Sequence, residues 1–298
     1  MTQLGYVEFE TAHENAWLDL ARTIGFQLVG QSDGRHGLRM DAERNARVFL
    51  RRGSVERLSA MGWEASGPDS YCELVQRLEN AGAQPRERPD LLAFRSVQAV
   101  AEFRDPDGNT GEVYWGPSNT LRTQFRSPEH VQFVAGAQGV GHVTMAVRDM
   151  KASREFYTEV LGLKLTEVAD VGSLVVTFMR AGTRHHSLAI AESKRREAAT
   201  DHLMIEVATL DDLGSIRDRL QDRGHRLSRD LGRHATDGVI SMYIETPGDF
   251  TLELGWGSYV LDDATWEHER FNRTQWSWGH RRPGDLLAAF VEEEEKSA

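Results

Sequence analysis

The sequence of 298 residues repeats one pattern four times. In each copy an alternating, strand-like run precedes an amphipathic helix, a glycine follows the helix, and further strand-like segments with turn residues complete the unit. A glycine at this place suits the left-handed conformation that often ends a helix. The four glycines are Gly25, Gly82, Gly162 and Gly224. The repeat predicts the order βαβββ in four successive modules, which restricts the possible folds more than any single segment does.

The pattern is interrupted once, near residues 117–138, where Pro117 and Pro128 stand among polar residues. We therefore predict an N-terminal domain over residues 1–120, a linker over residues 121–137 and a C-terminal domain over residues 138–298. The expected fold class is α+β, with two βαβββ modules in each domain. Because the strands alternate between apolar side chains and small or polar ones, each pair of modules should form a partly open β-barrel with its helices outside.

Composition narrows the class of protein. A net charge of -11 argues against a general nucleic-acid surface, which needs a basic face. No segment approaches about 18 consecutive apolar residues, so we expect no membrane span. A single cysteine, Cys72, rules out an internal disulfide and a thiolate metal cluster. We expect a cytoplasmic protein and, as for most soluble oligomers, a symmetric homo-oligomer.

The two halves of the chain differ at three equivalent positions. The C-terminal half carries His142, His202 and Glu253, whereas the N-terminal half carries, in the same order, Tyr6, Ala60 and Glu112. Two imidazoles and one carboxylate, which leave three positions open, are the ligands by which non-haem Fe(II) holds a substrate and dioxygen. A lone glutamate cannot hold a divalent iron. The N-terminal half is therefore expected to be a structural duplicate, although Glu253 taken alone could equally form a structural ion pair.

Strand alternation predicts which further side chains face the same site. It places Glu253 and Tyr243 among small or polar neighbours, on the side opposite the apolar residues of their strands. Applied to residues 184–190, the same rule predicts that His185 faces the site and that His186 faces away. His234 lies in a loop-like segment, where exposed histidines are common.

Taken together, several segments resemble the type I extradiol ring-cleaving dioxygenases of the vicinal oxygen chelate superfamily, and among these the 2,3-dihydroxybiphenyl 1,2-dioxygenases. The resemblance covers the whole chain, and the combination is specific although each piece alone is weak. The segments are Gly141–Val143, Arg184–Ala189, Asp201–Val207, Leu231–His234, Tyr243–Trp256 and Arg273–His280.

The resemblance implies that His142, His202 and Glu253 bind Fe(II); the same ligands also accept Mn(II). It implies an enzyme that uses dioxygen to open the ring of a catechol beside its hydroxyl groups, giving a semialdehyde or keto acid. A substituted or bicyclic catechol is the expected substrate. The expected catalytic residues are His185, His234 and Tyr243. The expected substrate contacts are Phe178, Thr236, Asp237 and Thr274.

One residue departs from the family pattern, since relatives often carry asparagine where this chain has Thr236. A hydroxyl and an amide differ in reach and in number of donors, which affects substrate placement. Two alternatives stay open on the same fold: a glyoxalase-like enzyme with another divalent metal, and a metal-free protein that binds aromatic compounds. Oxygen consumption with a catechol and the metal content of the protein distinguish the three.

Overall fold

The computed structural model describes residues 2–32, 34–118, 123–171, 174–193, 198–267, 269–272 and 276–282. Within these residues the strands form two sheets, one from each half of the chain. None of the described helices is long and apolar enough to cross a membrane. Thr274, an expected substrate contact, lies outside the described residues.

The N-terminal half forms an eight-stranded sheet in the order β2-β3-β4-β1-β5-β8-β7-β6. Its elements are β1 (Gln3–Thr11), α1 (Glu14–Ile24), β2 (Gln27–Ser32), β3 (Arg35–Arg39), β4 (Val48–Arg52), β5 (Arg57–Glu64), α2 (Pro68–Asn80), β6 (Arg86–Glu87), α3 (Leu92–Arg95), β7 (Ala99–Arg104) and β8 (Thr110–Trp115).

The C-terminal half forms a ten-stranded sheet in the order β17-β10-β11-β12-β9-β13-β16-β15-β14-β18. Its elements are β9 (His142–Val147), α4 (Met150–Glu155), β10 (Lys164–Val171), β11 (Leu174–Arg180), β12 (Leu188–Glu192), β13 (Ala199–Glu206), α5 (Leu210–Asp222), β14 (Leu227–His234), β15 (Ile240–Glu245), β16 (Thr251–Trp256), β17 (Glu269–Asn272) and β18 (Trp276–Gly279). A π-helical turn over Phe156–Val160 continues α4.

The α+β class and the four modules are confirmed. In each half the first strands of the two modules, β1 with β5 and β9 with β13, pair antiparallel at the centre of the sheet. Each sheet curls but does not close into a barrel. Among the described residues, the strand at either end of a sheet is hydrogen-bonded to one neighbouring strand only. The four glycines after the helices all have positive φ, as expected from the sequence. The division into domains at residues 121–137 stays a prediction.

The C-terminal sheet brings the expected ligands together through its register. Met204 on β13 lies opposite His142 on β9 and opposite Glu253 on β16. His202 precedes Met204 by two residues and therefore projects on the same side of β13. Three strands that are neighbours in the sheet thus supply the three side chains.

The N-terminal sheet repeats this register with other residues. Gly62 on β5 lies opposite Tyr6 on β1 and opposite Glu112 on β8, and Ala60 precedes Gly62 by two residues. The alignment of the two halves made from the sequence is therefore confirmed by strand pairing.

In the N-terminal half the positively charged side chain of Arg95 lies against Glu112, the residue that corresponds to Glu253. The guanidinium of Arg95 donates to both oxygens of Glu112, over 2.8 and 3.0 Å, and lies 2.8 Å from Glu8. The Tyr6 hydroxyl donates to Glu112 over 2.5 Å. All four side chains are buried. The carboxylate of Glu112 is thus neutralised internally, which supports the interpretation of this half as a structural duplicate.

We predict that Glu112→Ala destabilises the protein without changing its metal content. The substitution leaves the buried Arg95 without its bidentate partner, and breaking a buried ion pair costs roughly 3–5 kcal/mol. Denaturant unfolding measures the loss. Glu73→Ala, on the exposed face of α2, is the control and should stay within about 0.5 kcal/mol of the parent. Equal stability of the two variants would contradict the structural role assigned to Glu112.

Candidate metal centre

The concave side of the C-terminal sheet encloses a cavity of about 1240 Å³. His142, His202 and Glu253 line it and are 3%, 8% and 1% exposed. An ionised carboxylate buried to this extent is costly unless it is paired or bound to a metal. The three side chains form a group whose ligand atoms all lie within 4.8 Å of one another.

The distances within this group fit three adjacent ligands of one metal ion. Nε2 of His142 and Nε2 of His202 are 3.2 Å apart, and they lie 3.5 and 3.1 Å from Oε2 of Glu253. Ligands about 2.1 Å from a metal and at right angles to each other are separated by about 3 Å. The donor set and its spacing therefore suit a divalent ion held on one face by two imidazoles and a carboxylate.

A close contact between two strands requires glycine at position 141, directly before His142. Gly141 has a φ of +141°, and a Cβ on it would lie 1.8 Å from the backbone oxygen of Met204. No side chain fits there. The backbone of β9 can therefore approach β13 closely at the point where His142 begins the strand.

A bulge positions His202, the second expected ligand, and its partner Asp201. The register between β13 and β9 shifts between Thr200 and His202, which leaves Asp201 outside the ladder. Such a bulge re-aims side chains, and here Oδ2 of Asp201 lies 2.6 Å from Nδ1 of His202. A carboxylate on the outer nitrogen fixes the ring so that its Nε2 points to the metal position. Sequence reasoning did not select Asp201; an acid next to a candidate ligand was the available signal.

The surroundings of His142, His202 and Glu253 determine which of the three side chains are charged when no metal is bound. Burial lowers the pKa of His142 to about 4, so this ring is neutral at physiological pH. Burial also disfavours the charged form of His202, but hydrogen bonds to Asp201 and Glu253 raise its pKa to about 10. Burial alone would raise the pKa of Glu253, yet the surrounding histidines hold it well below its usual range. The metal-free centre therefore pairs a carboxylate with the His202 imidazolium.

Two of the expected catalytic residues lie beside the ligands. The hydroxyl of Tyr243 is 2.9 Å from Nε2 of His234, which is 3.2 Å from Oε1 of Glu253. Burial and the charge of Glu253 raise the pKa of Tyr243 well above its ordinary value, so the phenol keeps its proton. His234 ends β14 rather than lying in a loop. His280, which ends one of the segments that carry the family resemblance but was not predicted to be a site residue, packs against both rings, with centroids 4.7 Å from His234 and 5.5 Å from Tyr243.

The expected substrate contacts that the structure describes also line the cavity. They are Phe178, Thr236 and Asp237, all buried. Thr236 and Asp237 lie between β14 and β15, whereas Phe178 lies on β11.

The prediction for the His185-His186 pair is wrong. His186 lines the cavity, and its ring centroid is 3.8 Å from that of His142. His185 lies behind it and is not among the cavity-lining residues. The alternation rule holds only within a regular strand, and β12 begins at Leu188, so residues 185–187 do not follow its alternation. The residue next to the metal centre is therefore His186.

The chain is similar to known proteins over nearly its whole length. The profile of the Glyoxalase/Bleomycin resistance protein/Dioxygenase superfamily matches residues 139–254. The chain is 32% identical to a biphenyl-2,3-diol 1,2-dioxygenase of Paraburkholderia xenovorans, over 96% of this chain and 97% of the relative. It is 33% identical to an iron-dependent extradiol dioxygenase of Rhodococcus jostii, over 93% and 96%. A crystal structure of catechol 2,3-dioxygenase superposes with a TM-score of 0.85 at 31% identity, over 94% and 95%.

We predict that metal uptake releases a proton. His202 has a pKa of about 10 in the metal-free protein, above the unfolded value near 6.5, so its ion pairs stabilise that form fully below about pH 6.5 and are lost as the pH rises through about 10. A metal must displace this proton between those limits. The apparent affinity for Mn(II) should therefore rise about tenfold per pH unit between about pH 7 and 9.

Calorimetric titration in two buffers of different ionisation enthalpy counts the protons released. Asp201→Asn is the matched variant, because an amide no longer stabilises the His202 imidazolium and the release should fall. An affinity independent of pH in the parent protein would contradict the charge assignment.

Proposed function

Since the chain belongs to the extradiol dioxygenases, we propose that it cleaves a substituted or bicyclic catechol beside its hydroxyl groups with Fe(II) held by His142, His202 and Glu253. The observation that carries this proposal is the spacing of the three ligand atoms, 3.1–3.5 Å from one another, in the wall of a large cavity. The product would be a semialdehyde or keto acid that contains both oxygen atoms of dioxygen.

The ligand set supports iron, although imidazole and carboxylate also accept Mn(II). When held by His142, His202 and Glu253, a divalent iron would lower the pKa of a catechol hydroxyl and supply the redox chemistry for reaction with dioxygen. The name of the Rhodococcus relative, an iron-dependent enzyme, is consistent with this choice.

Tyr243 and His234 would orient the catechol. The Tyr243 phenol keeps its proton and can donate a hydrogen bond to a substrate oxygen. Burial disfavours the charged form of His234, but its contact with Glu253 raises its pKa overall, so the ring can accept the proton that a catechol gives up. Their mutual distance of 2.9 Å lets a proton held on one be shared with the other.

His186 takes the role that sequence reasoning gave to His185. Burial holds the pKa of His186 well below its ordinary value, so its ring is neutral and one of its nitrogens can accept a proton. Its ring packs against that of His142, whereas the ring of Tyr243 packs edge-on against that of His202. We assign to His186 the transfer of a proton to and from the reacting oxygen atoms on the side of His142.

The cavity favours a catechol with an apolar substituent. Four apolar side chains line it side by side, Val176 and Phe178 from β11 and Ala189 and Ala191 from β12. Small residues beside an aromatic ring leave room for a second ring and give it apolar contacts. The substrate named for the Paraburkholderia relative, biphenyl-2,3-diol, has such a ring.

We also propose a cytoplasmic homo-oligomer. The support is general: the chain has one cysteine, as is usual in a reducing compartment, and closed symmetric assemblies predominate among soluble oligomers.

The test of this function is anaerobic reconstitution with Fe(II), followed by oxygen uptake and absorbance measurements with a panel of catechols. We expect one oxygen molecule consumed per substrate, a yellow product and a higher kcat/KM for 2,3-dihydroxybiphenyl than for unsubstituted catechol. Absence of oxygen uptake with every catechol would overturn the proposal and favour a glyoxalase-like or binding function.

The apolar wall is tested by a pair of neighbouring substitutions. Val176→Phe narrows the cavity, so kcat/KM for 2,3-dihydroxybiphenyl should fall roughly tenfold while that for catechol changes little. Val175→Phe is the control, because Val175 is 41% exposed and does not line the cavity. Equal losses for both substrates, or for both variants, would contradict the assignment of this wall.

A further inference from the structure

Behind His186 lies a buried chain of two side chains to which the proposed function gives no role. Nδ1 of His185 is 3.1 Å from Nδ1 of His186, and Nε2 of His185 is 3.4 Å from Oε2 of Glu167. His185 and Glu167 are 0% and 1% exposed. The rings of Phe178 and Trp266 pack edge-on against His185, each with its centroid 5.8 Å away. His186, His185 and Glu167 thus form a buried row that ends at the cavity.

The contact between the two histidines restricts where their protons lie. Two Nδ1 atoms at 3.1 Å share a hydrogen bond only if one of them carries hydrogen and the other does not. Which one carries it depends on the other nitrogen of His185. That nitrogen, Nε2, has no hydrogen-bond partner among the described residues, and its nearest ionic neighbour is the carboxylate of Glu167.

A carboxylate can only accept, so it favours hydrogen on Nε2 of His185. The Nδ1 of a neutral His185 then has a lone pair, and Nδ1 of His186 must be the donor. Asp237 acts in the same direction, since its Oδ2 lies 4.0 Å from Nδ1 of His186. Nε2 of His186 is then left without hydrogen.

We propose that Glu167 and His185 are positioning residues that hold His186 in the tautomer with hydrogen on Nδ1. Nε2 of His186 is thereby kept ready to receive a proton in the cavity, as outer carboxylates and imidazoles commonly prepare a catalytic histidine. The inference rests on the proposed function, because it concerns the proton that His186 transfers. It also gives His185 a role: His185 orients the proton-transferring residue His186, whereas the sequence predicted that His185 itself is catalytic.

The decisive variant is Glu167→Gln. The glutamine amide can donate to Nε2 of His185, which moves hydrogen to Nδ1 of His185 and makes Nδ1 of His186 the acceptor. We expect the tautomer of His186 to shift from Nδ1–H to Nε2–H. Nitrogen-15 NMR of histidine-labelled full-length protein, loaded with diamagnetic Zn(II), reads this directly, and the His186 signals are assigned by their loss in His186→Asn.

In the Fe(II) form of the same variant, kcat should fall roughly 10–100-fold, with KM and iron content unchanged. Glu167→Asp keeps the charge and should retain the parental tautomer and most of the activity. Glu8→Gln is the matched control, because it removes a buried carboxylate of the N-terminal half, paired with Arg95, and should leave the tautomer unchanged. If Glu167→Gln cannot be purified, His185→Phe serves instead, since it removes the acceptor and should mix the tautomers of His186.

An unchanged tautomer in Glu167→Gln, or a changed tautomer with unchanged kcat, would overturn the positioning role. Failure of the proposed function is recognised separately, as absence of oxygen uptake by the parent protein with every catechol. Full ring cleavage by His186→Phe would remove the role of His186 itself, whatever its tautomer.

Discussion

The buried carboxylate of Glu253 is the charge on which the arrangement of the C-terminal half depends. It lies in the middle of a sheet, is almost fully buried, and is met by the rings of His142, His202 and His234. A charge in such a place must be compensated, and the chain compensates it with donors that converge as metal ligands do. The N-terminal half solves the same problem differently, because Arg95 neutralises Glu112 at the equivalent position. The buried glutamate thus forms a structural ion pair in the N-terminal copy of the scaffold and belongs to the candidate metal centre in the C-terminal copy.

Much of this could be predicted from the sequence, because periodicity carries the information. The four modules follow from helical spacing and from glycines that end helices, and the three ligands follow from aligning one half with the other. Strand pairing confirms that alignment, since Met204 and Gly62 take corresponding places opposite His142 and Tyr6.

The sequence failed where the backbone is irregular. The prediction that His185 faces the cavity applied strand alternation to residues before β12, which begins at Leu188. The structure places His186 in the cavity wall instead. Asp201 was missed for a related reason: a bulge turns it toward its neighbour His202, and a bulge leaves little trace in a pattern of apolar and polar residues. His280 comes to His234 from a distant part of the chain, which no local pattern indicates.

We infer that the C-terminal half of the chain holds one catalytic metal ion and that the N-terminal half holds none. Anaerobic titration of the metal-free protein with Fe(II), followed by removal of loose metal and iron analysis, tests it most directly. We expect about one iron per chain, reduced to none in His202→Ala and unchanged in Tyr6→Phe. Two irons per chain, or full iron content in His202→Ala, would contradict it.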